Sequence, residues 1–145
     1  MCGQPGGNTD ARNQTLGALL WLAIEQSRLP LKLFDSSAGF LLPDGSVRSP
    51  DASVLRLERW QTLSKAERDG FPPLCPDLVV ELAAYMANGA SLGWLLLPQS
   101  RTVEVWKAGA AETAHSPLVL SDPARLEAGP EFPGLVIDPR RIWEV

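Results

Sequence analysis

Two acidic residues in apolar surroundings are the strongest candidates for chemistry in this sequence. Asp51 follows a Ser-Pro pair, and Glu81 follows the apolar run 78–80. If the two lie side by side, each carboxylate disfavours the ionised form of the other unless a cation compensates them. Mg²⁺ accepts one or two carboxylates and keeps several waters, one of which can attack a phosphodiester. The residues alone leave two interpretations open: a magnesium site, or salt-bridged or edge-exposed carboxylates.

Other catalytic classes lack the residues that they need. His115 is the sole histidine and stands in the polar stretch 111–117, which is typical of a solvated loop and argues against histidine-based mechanisms. The glycine-rich segment 3–8 lacks both the lysine and the preceding strand of a phosphate-binding loop. Cys2 and Cys75 have no partner at ligand spacing, and Cys75 is expected to be a buried apolar residue.

Composition predicts one domain over residues 1–145, with a flexible tail at 1–9. The chain has 145 residues, and its apolar fraction of 45% is sufficient for a hydrophobic core. The net charge of −4 argues against a nucleic-acid-binding surface that covers the whole protein, but it allows a local basic patch. Four arginines do fall close together, but acidic residues are interleaved with them, as on an ordinary solvated face: Arg48, Arg56, Arg59 and Arg68. No apolar run is long enough to span a bilayer and no leader pattern opens the chain, so a soluble cytoplasmic protein is expected.

Hydrophobic periodicity predicts an α/β (α+β) fold with a mixed sheet. Apolar residues at helical spacing predict a helix over 10–27, capped by Asn8 or Thr9 and ended by Pro30. Ser64 and Glu67 form a capping-box pattern within a short helix predicted over 58–69. Strands are predicted at 31–34, 40–42, 52–57, 77–82, 92–97, 102–107 and 135–137, with a last helical turn at 140–143.

Several phrases, in this order, resemble the Uma family of putative restriction endonucleases, a bacterial group abundant in cyanobacteria within the PD-(D/E)XK nuclease superfamily. They are GGNTDARN (6–13), LFDSSAGFLLPDGSVRSPDAS (33–53), ERW (58–60), GFPPLCPDLVVEL (70–82), YMANGASLGWLLLPQSRTVEVW (85–106) and FPGLVIDPRRIW (132–143). The resemblance implies a restriction-endonuclease-like mixed sheet with an N-terminal helix and a crossover helix. It also implies that Asp51 and Glu81 are catalytic Mg²⁺ ligands and that DNA is the substrate, with no other cofactor.

The sequence departs from the family pattern directly after Glu81. In the family a loop and a helix follow this strand and carry a catalytic lysine, whereas here Glu81 runs through Ala83 straight into Tyr85. Position 83, where the superfamily motif would put lysine, is alanine, and the chain's lysines stand elsewhere: Lys32, Lys65 and Lys107. Only nine residues, 83–91, separate two strands whose parallel connection usually needs at least about 10–12 residues. The sequence therefore predicts an internal deletion and a crossover helix shortened to about one turn.

Three functional hypotheses stay open at this point. The first is a Mg²⁺-dependent DNA endonuclease that uses Asp51 and Glu81, with the lysine's role lost, taken by an arginine or supplied by the other subunit of a homodimer. The second is a degenerate nuclease-fold domain that at most binds DNA or a protein. The third is a truncated gene product with no function of its own. Carboxylates within about 5 Å of each other would allow both to ligate one ion.

Overall fold

A long N-terminal helix and a six-stranded mixed sheet are the two largest structural units of the protein. The computed structural model describes residues 7–82, 92–107 and 117–144. The helices are α1 (Gly7–Ser27), α2 (Leu57–Gln61), α3 (Lys65–Asp69) and α4 (Arg140–Trp143). The strands are β1 (Leu31–Asp35), β2 (Phe40–Leu41), β3 (Val47–Arg48), β4 (Ala52–Arg56), β5 (Leu78–Leu82), β6 (Leu92–Leu97), β7 (Thr102–Lys107), β8 (Leu118–Ser121), β9 (Leu126–Glu127) and β10 (Val136–Ile137).

The main sheet confirms the predicted α/β (α+β) class. Its strand order is β1-β4-β5-β6-β7-β8, and β2–β3 and β9–β10 form two small separate pairs. Only β5 and β6 run parallel in the main sheet, with Leu78 paired to Leu92. A parallel pair needs a connection that crosses over the sheet. The connection here consists of residues 83–91, so the predicted shortened crossover helix lies outside the described residues.

Helix α1 buries its apolar stripe against one face of the sheet. Leu16, Leu20 and Ala23 are buried in one cluster with Val80 and Trp94. These helix residues recur at the spacing that predicted the helix, because residues three and four apart face the same way. Complete burial of a leucine side chain stabilises the fold by roughly 1.5–3 kcal/mol, so this stripe holds α1 firmly on the sheet.

The opposite face of β4 and β5 is covered as well. Leu55 and Val79 are fully buried although they point away from the α1 side, and Val80 is fully buried on the α1 side. A strand that is covered on both faces reads as a continuous apolar run. Strand β5 confirms the strand that the sequence predicts at 77–82.

Several local predictions need correction. Helix α1 begins at Gly7, before the predicted start at residue 10, so Asn8 and Thr9 lie within its bounds. The helix predicted over 58–69 is split into α2 and α3, because Ser64 and Glu67 form a complete capping box that starts a new helix. Strands β3, β8 and β9 were not predicted, whereas β10 and α4 confirm the strand and the last turn expected at 135–137 and 140–143.

The cysteine prediction was too strong, and two other predictions are only partly covered by the structure. Cys75 is half-buried rather than buried, and this burial raises the pKa of its thiol. His115 lies outside the described residues, as do residues 1–6 of the tail that was expected to be flexible. No helix in the described part of the chain combines the length and the hydropathy that crossing a bilayer requires.

Candidate functional site

The register of β4 against β5 brings Asp51 and Glu81 together. Ala52 pairs with Val80 in this antiparallel pair, so Asp51, one residue earlier, falls opposite Glu81, one residue later. The two side chains are hydrogen-bonded to each other, and the backbone N–H of Asp51 also donates to the Glu81 carboxylate. This contact puts the two carboxylates side by side, and their role as ligands of one ion stays a prediction.

Local sequence explains how each carboxylate reaches this place. The buried Pro50 favours extended geometry in the residue before it, and the chain then enters β4 directly after Asp51. Glu81 is carried by β5, whose apolar residues 78–80 are buried. The acidic side chain therefore sits at the point where a rigid, doubly covered strand approaches its end.

The electrostatics of the pair differ from those of two ordinary surface acids. Burial, followed by the charge of Asp51 and the hydrogen bond with Asp51, raises the pKa of Glu81 from 4.5 to about 7. The positive charge of Arg48 opposes this effect and lowers the same pKa. Near neutral pH Glu81 therefore carries its negative charge less readily than an ordinary glutamate, because two adjacent carboxylates resist carrying two negative charges.

Each of the chain's three lysines interacts with a residue outside the Asp51–Glu81 pair. The Lys32 ammonium lies 5.2 Å from the centre of the Trp60 ring. Lys65 forms an ion pair with Asp69 at 3.0 Å, and Lys107 lies 3.8 Å from a carboxylate oxygen of Glu131. The absence of lysine at position 83 is therefore not compensated by a lysine from another part of the fold.

The arginines of the segment 48–68 have mainly structural partners. Asp77, buried at 6% exposure, accepts hydrogen bonds from Arg59 Nη1 at 2.7 Å and from the backbone N–H of Arg56 at 2.8 Å. The Arg68 guanidinium packs over the Trp60 ring. Asp77 is thus structural. The Arg56 guanidinium donates to the Glu131 carbonyl at 2.8 Å, so three of the four arginines have partners within the fold instead of forming a continuous phosphate-binding track.

An open cavity of about 450 Å³ lies beside Asp51, between α1 and the end of β1. Its wall includes Asp10, Asn13, Trp21, Leu33, Asp35 and Asp51. Asn13 belongs to this wall, and so does Trp21 on the same helix. Trp21 was missed, although its spacing of eight residues from Asn13 places both on one side of the helix.

The carboxylate pair fits a hard divalent cation by the chemistry of its donors. Within the described residues, no group of three or more histidine, cysteine, aspartate or glutamate side chains is arranged to hold a metal. Two carboxylates are nevertheless sufficient for Mg²⁺, which commonly takes one or two and completes its shell with water. Burial and the neighbouring Asp51 raise the pKa of Glu81, so a positive charge beside the pair would be favoured.

The protein thus combines an α+β fold, in which a helix covers one face of a mixed sheet, with a carboxylate pair at the end of β5. Residues 1–140 match the Uma2 family, whose description is "putative restriction endonuclease", and the chain belongs to this family. Among solved structures, a putative nuclease from Anabaena variabilis ATCC 29413 has the same fold, with a TM-score of 0.70 and 17% sequence identity. The similarity covers 98% of this chain and 83% of that one. No curated protein matches the chain.

Proposed function

We propose that this protein binds Mg²⁺ at the Asp51–Glu81 pair and hydrolyses phosphodiester bonds of DNA. The observation that carries the proposal is the hydrogen-bonded carboxylate pair, in which the pKa of Glu81 is raised to about 7. Strongly perturbed carboxylates are frequent at catalytic sites, because the work of such sites requires them. Membership of a family described as "putative restriction endonuclease" supports DNA as the substrate.

Each residue of the pair has a definite part in this proposal. Asp51 and Glu81 would hold the ion through their carboxylate oxygens. A bound Mg²⁺ would supply a coordinated water of lowered pKa and would stabilise the charge on the phosphate oxygens. Glu81 must lose its proton before it can ligate, so metal binding should strengthen as the pH rises through about 7.

We expect cleavage to be slow, because the pair lacks a lysine. Ala83 stands where the family resemblance would put that lysine. Arg48 is exposed and its charge acts on Glu81, so it is the residue of the described chain best suited to share the missing role. A guanidinium on an exposed strand is held less firmly than a buried lysine, and weak fixation of a charge lowers its contribution to catalysis.

A second candidate function is a nuclease fold that binds DNA or a protein without cleaving. The engagement of Lys32, Lys65 and Lys107 with partners elsewhere favours this alternative. Without a fixed cation beside the scissile phosphate, binding can persist while the chemical step is lost. The two candidates share the fold and the carboxylate pair, so only activity and metal binding separate them.

The test is plasmid nicking by the purified full chain at pH 8 with Mg²⁺ or Mn²⁺. Asp51→Asn and Glu81→Gln should abolish nicking, because each removes a negatively charged ligand with little change in shape. Glu104→Gln is the matched control, since Glu104 lies on the same face of the sheet but pairs across strands with Leu95 and Val119. It should leave nicking unchanged.

A parallel measurement follows the melting temperature as Mg²⁺ is added. Nicking that persists unchanged in both site variants would show that Asp51 and Glu81 are not the site. Absence of nicking together with a Mg²⁺-dependent rise in melting temperature, lost in Glu81→Gln, would assign the metal site and select the non-cleaving alternative. Absence of both responses would overturn the metal site itself.

A further inference from the structure

We propose that the cavity beside Asp51 binds one unpaired nucleobase that carries an exocyclic amino group. The inference rests on the proposed function, since the base would belong to the strand whose phosphate lies at the Asp51–Glu81 pair. It names single-stranded DNA, or an unpaired stretch of a duplex, as the substrate class. The argument depends on the size of the cavity, the exposed indole of Trp21 and the polar groups of the wall.

The cavity has the size and position of a ligand site. Its volume of about 450 Å³ falls in the usual range of small-molecule sites, roughly 300–1,000 Å³. Asp51 belongs both to its wall and to the carboxylate pair. A group bound in the cavity would therefore lie next to one member of the pair, Asp51.

Trp21 offers an exposed aromatic surface in this wall. The residue is 58% exposed although it lies on the same helix as the fully buried Leu16 and Leu20. Leu33 and Phe34 add apolar surface to the wall. Base–aromatic stacking contributes substantially to the binding of single strands, and it requires a ring face that water can reach in the free protein.

The polar groups of the wall suit a base better than a phosphate. Asp10 and Asp35 contribute carboxylates, and Asn13 and Gln14 contribute amides. Among the described residues of the wall there is no lysine, arginine or histidine, so a phosphate placed inside would meet negative charges and no positive one. Carboxylates instead accept hydrogen bonds from an exocyclic amino group, such as that of cytosine.

This complementarity predicts a preference between two bases of similar size. Cytosine carries an amino group where thymine carries a carbonyl oxygen, and that oxygen would face the carboxylates of Asp10 and Asp35 unfavourably. The phosphate backbone is the same in both oligonucleotides. A difference in affinity between oligo-dC and oligo-dT of equal length therefore reports on contacts with the bases and not on contacts with the phosphates.

The experiment measures fluorescence anisotropy of labelled oligo-dC, oligo-dT and a duplex with the full chain, in EDTA so that no cleavage occurs. We expect oligo-dC to bind at least about tenfold more tightly than oligo-dT or the duplex. This is the difference expected when a ligand lacks one good polar contact between a base and the protein. Trp21→Ala should weaken oligo-dC binding by about 5- to 100-fold, and Trp21→Phe should retain most of it. Leu22→Ala is the matched control, because Leu22 is 50% exposed and next in the chain, yet it is not part of the described wall of the cavity.

The outcomes separate this inference from the proposed function. Equal affinity for oligo-dC and oligo-dT, or equal weakening by Trp21→Ala and Leu22→Ala, would overturn the base site even if plasmid nicking depends on Asp51 and Glu81. The expected base preference without any nicking would support the base site and reject the proposed catalysis. A change in oligomeric state in Trp21→Ala, with unchanged oligonucleotide affinity, would make Trp21 part of a protein interface and overturn the inference.

Discussion

Replacing Glu81 by glutamine should stabilise the protein in alkaline solution and leave its stability unchanged in acid. The neutral amide has nearly the shape of the protonated carboxyl group. It can donate a hydrogen bond to the Asp51 carboxylate and accept one from the Asp51 backbone N–H, as protonated Glu81 can. The variant therefore imitates the low-pH form of the pair at every pH.

The sign follows from the protons bound by each state. The pKa of Glu81 is raised in the folded protein from 4.5 to about 7, so between these values the folded chain binds more protons than the unfolded chain. The free energy of unfolding must then decrease as the pH rises from about 4.5 to 7 and become constant above that. Below about pH 4.5 the wild-type pair loses no stability from this source.

The magnitude is limited by the exposure of the side chain. A pKa raised from 4.5 to about 7 corresponds to about 3 kcal/mol for a fully buried group. Glu81 is only half-buried and solvent screens part of the repulsion, so we expect about 1–2 kcal/mol. For a chain of 145 residues this difference would raise the melting temperature of Glu81→Gln above that of the wild type by about 3–7 °C at pH 8.

Urea denaturation followed by tryptophan fluorescence, in metal-free buffer from pH 4.5 to 8, measures this difference. The advantage of Glu81→Gln should be absent at pH 4.5 and should reach its full value above pH 7. Glu104→Gln provides the control, because its cross-strand neighbours Leu95 and Val119 are uncharged. An advantage of Glu81→Gln that is equally large at pH 4.5 and 8, or a loss of stability at pH 8, would refute the reasoning about charge repulsion.

Two further substitutions test interactions that stabilise the fold away from the carboxylate pair. Asp77→Asn should lower the free energy of unfolding by about 2–4 kcal/mol. The substitution weakens the hydrogen bonds from Arg59 and from the Arg56 backbone, and it leaves the Arg59 guanidinium without its anionic partner. A loss below about 0.5 kcal/mol in urea denaturation would contradict a structural role of Asp77. Ser64→Ala should cost about 1 kcal/mol, since it removes the oxygen that accepts the Glu67 backbone N–H at the start of α3. Thermal denaturation by circular dichroism would show the cap to be unimportant if the two melting curves coincide.

Periodicity predicted the elements that bury a regular face, and it failed where no such face exists. Helix α1 and strands β6 and β7 were found close to their predicted bounds, because many residues repeat one pattern along each of them. Strands β3 and β9 have two residues each, which is too short for any period to be visible. Strand β8 has an irregular exposure along its four residues, with Leu118 and Val119 both exposed.

The candidate site could be predicted in its chemistry but not in its full surroundings. Asp51 and Glu81 stood out because carboxylates next to buried apolar residues are costly unless they are compensated. Trp21 and the cavity could not be found in this way, since the helix had to be packed against β1 before its outer side became the wall of a cavity. The raised pKa of Glu81 likewise depends on its burial and on the position of Asp51.

The amino-acid sequence by itself determined the longer elements, which carboxylates are available and that position 83 carries no lysine. Helical and strand periods, proline and capping residues act over a few positions, so they can be read locally. Only the tertiary structure decided that Asp51 faces Glu81 and that all three lysines bind elsewhere. Strand register and side-chain partners join residues far apart in the chain, and they are selected by the burial of whole faces of the sheet at once.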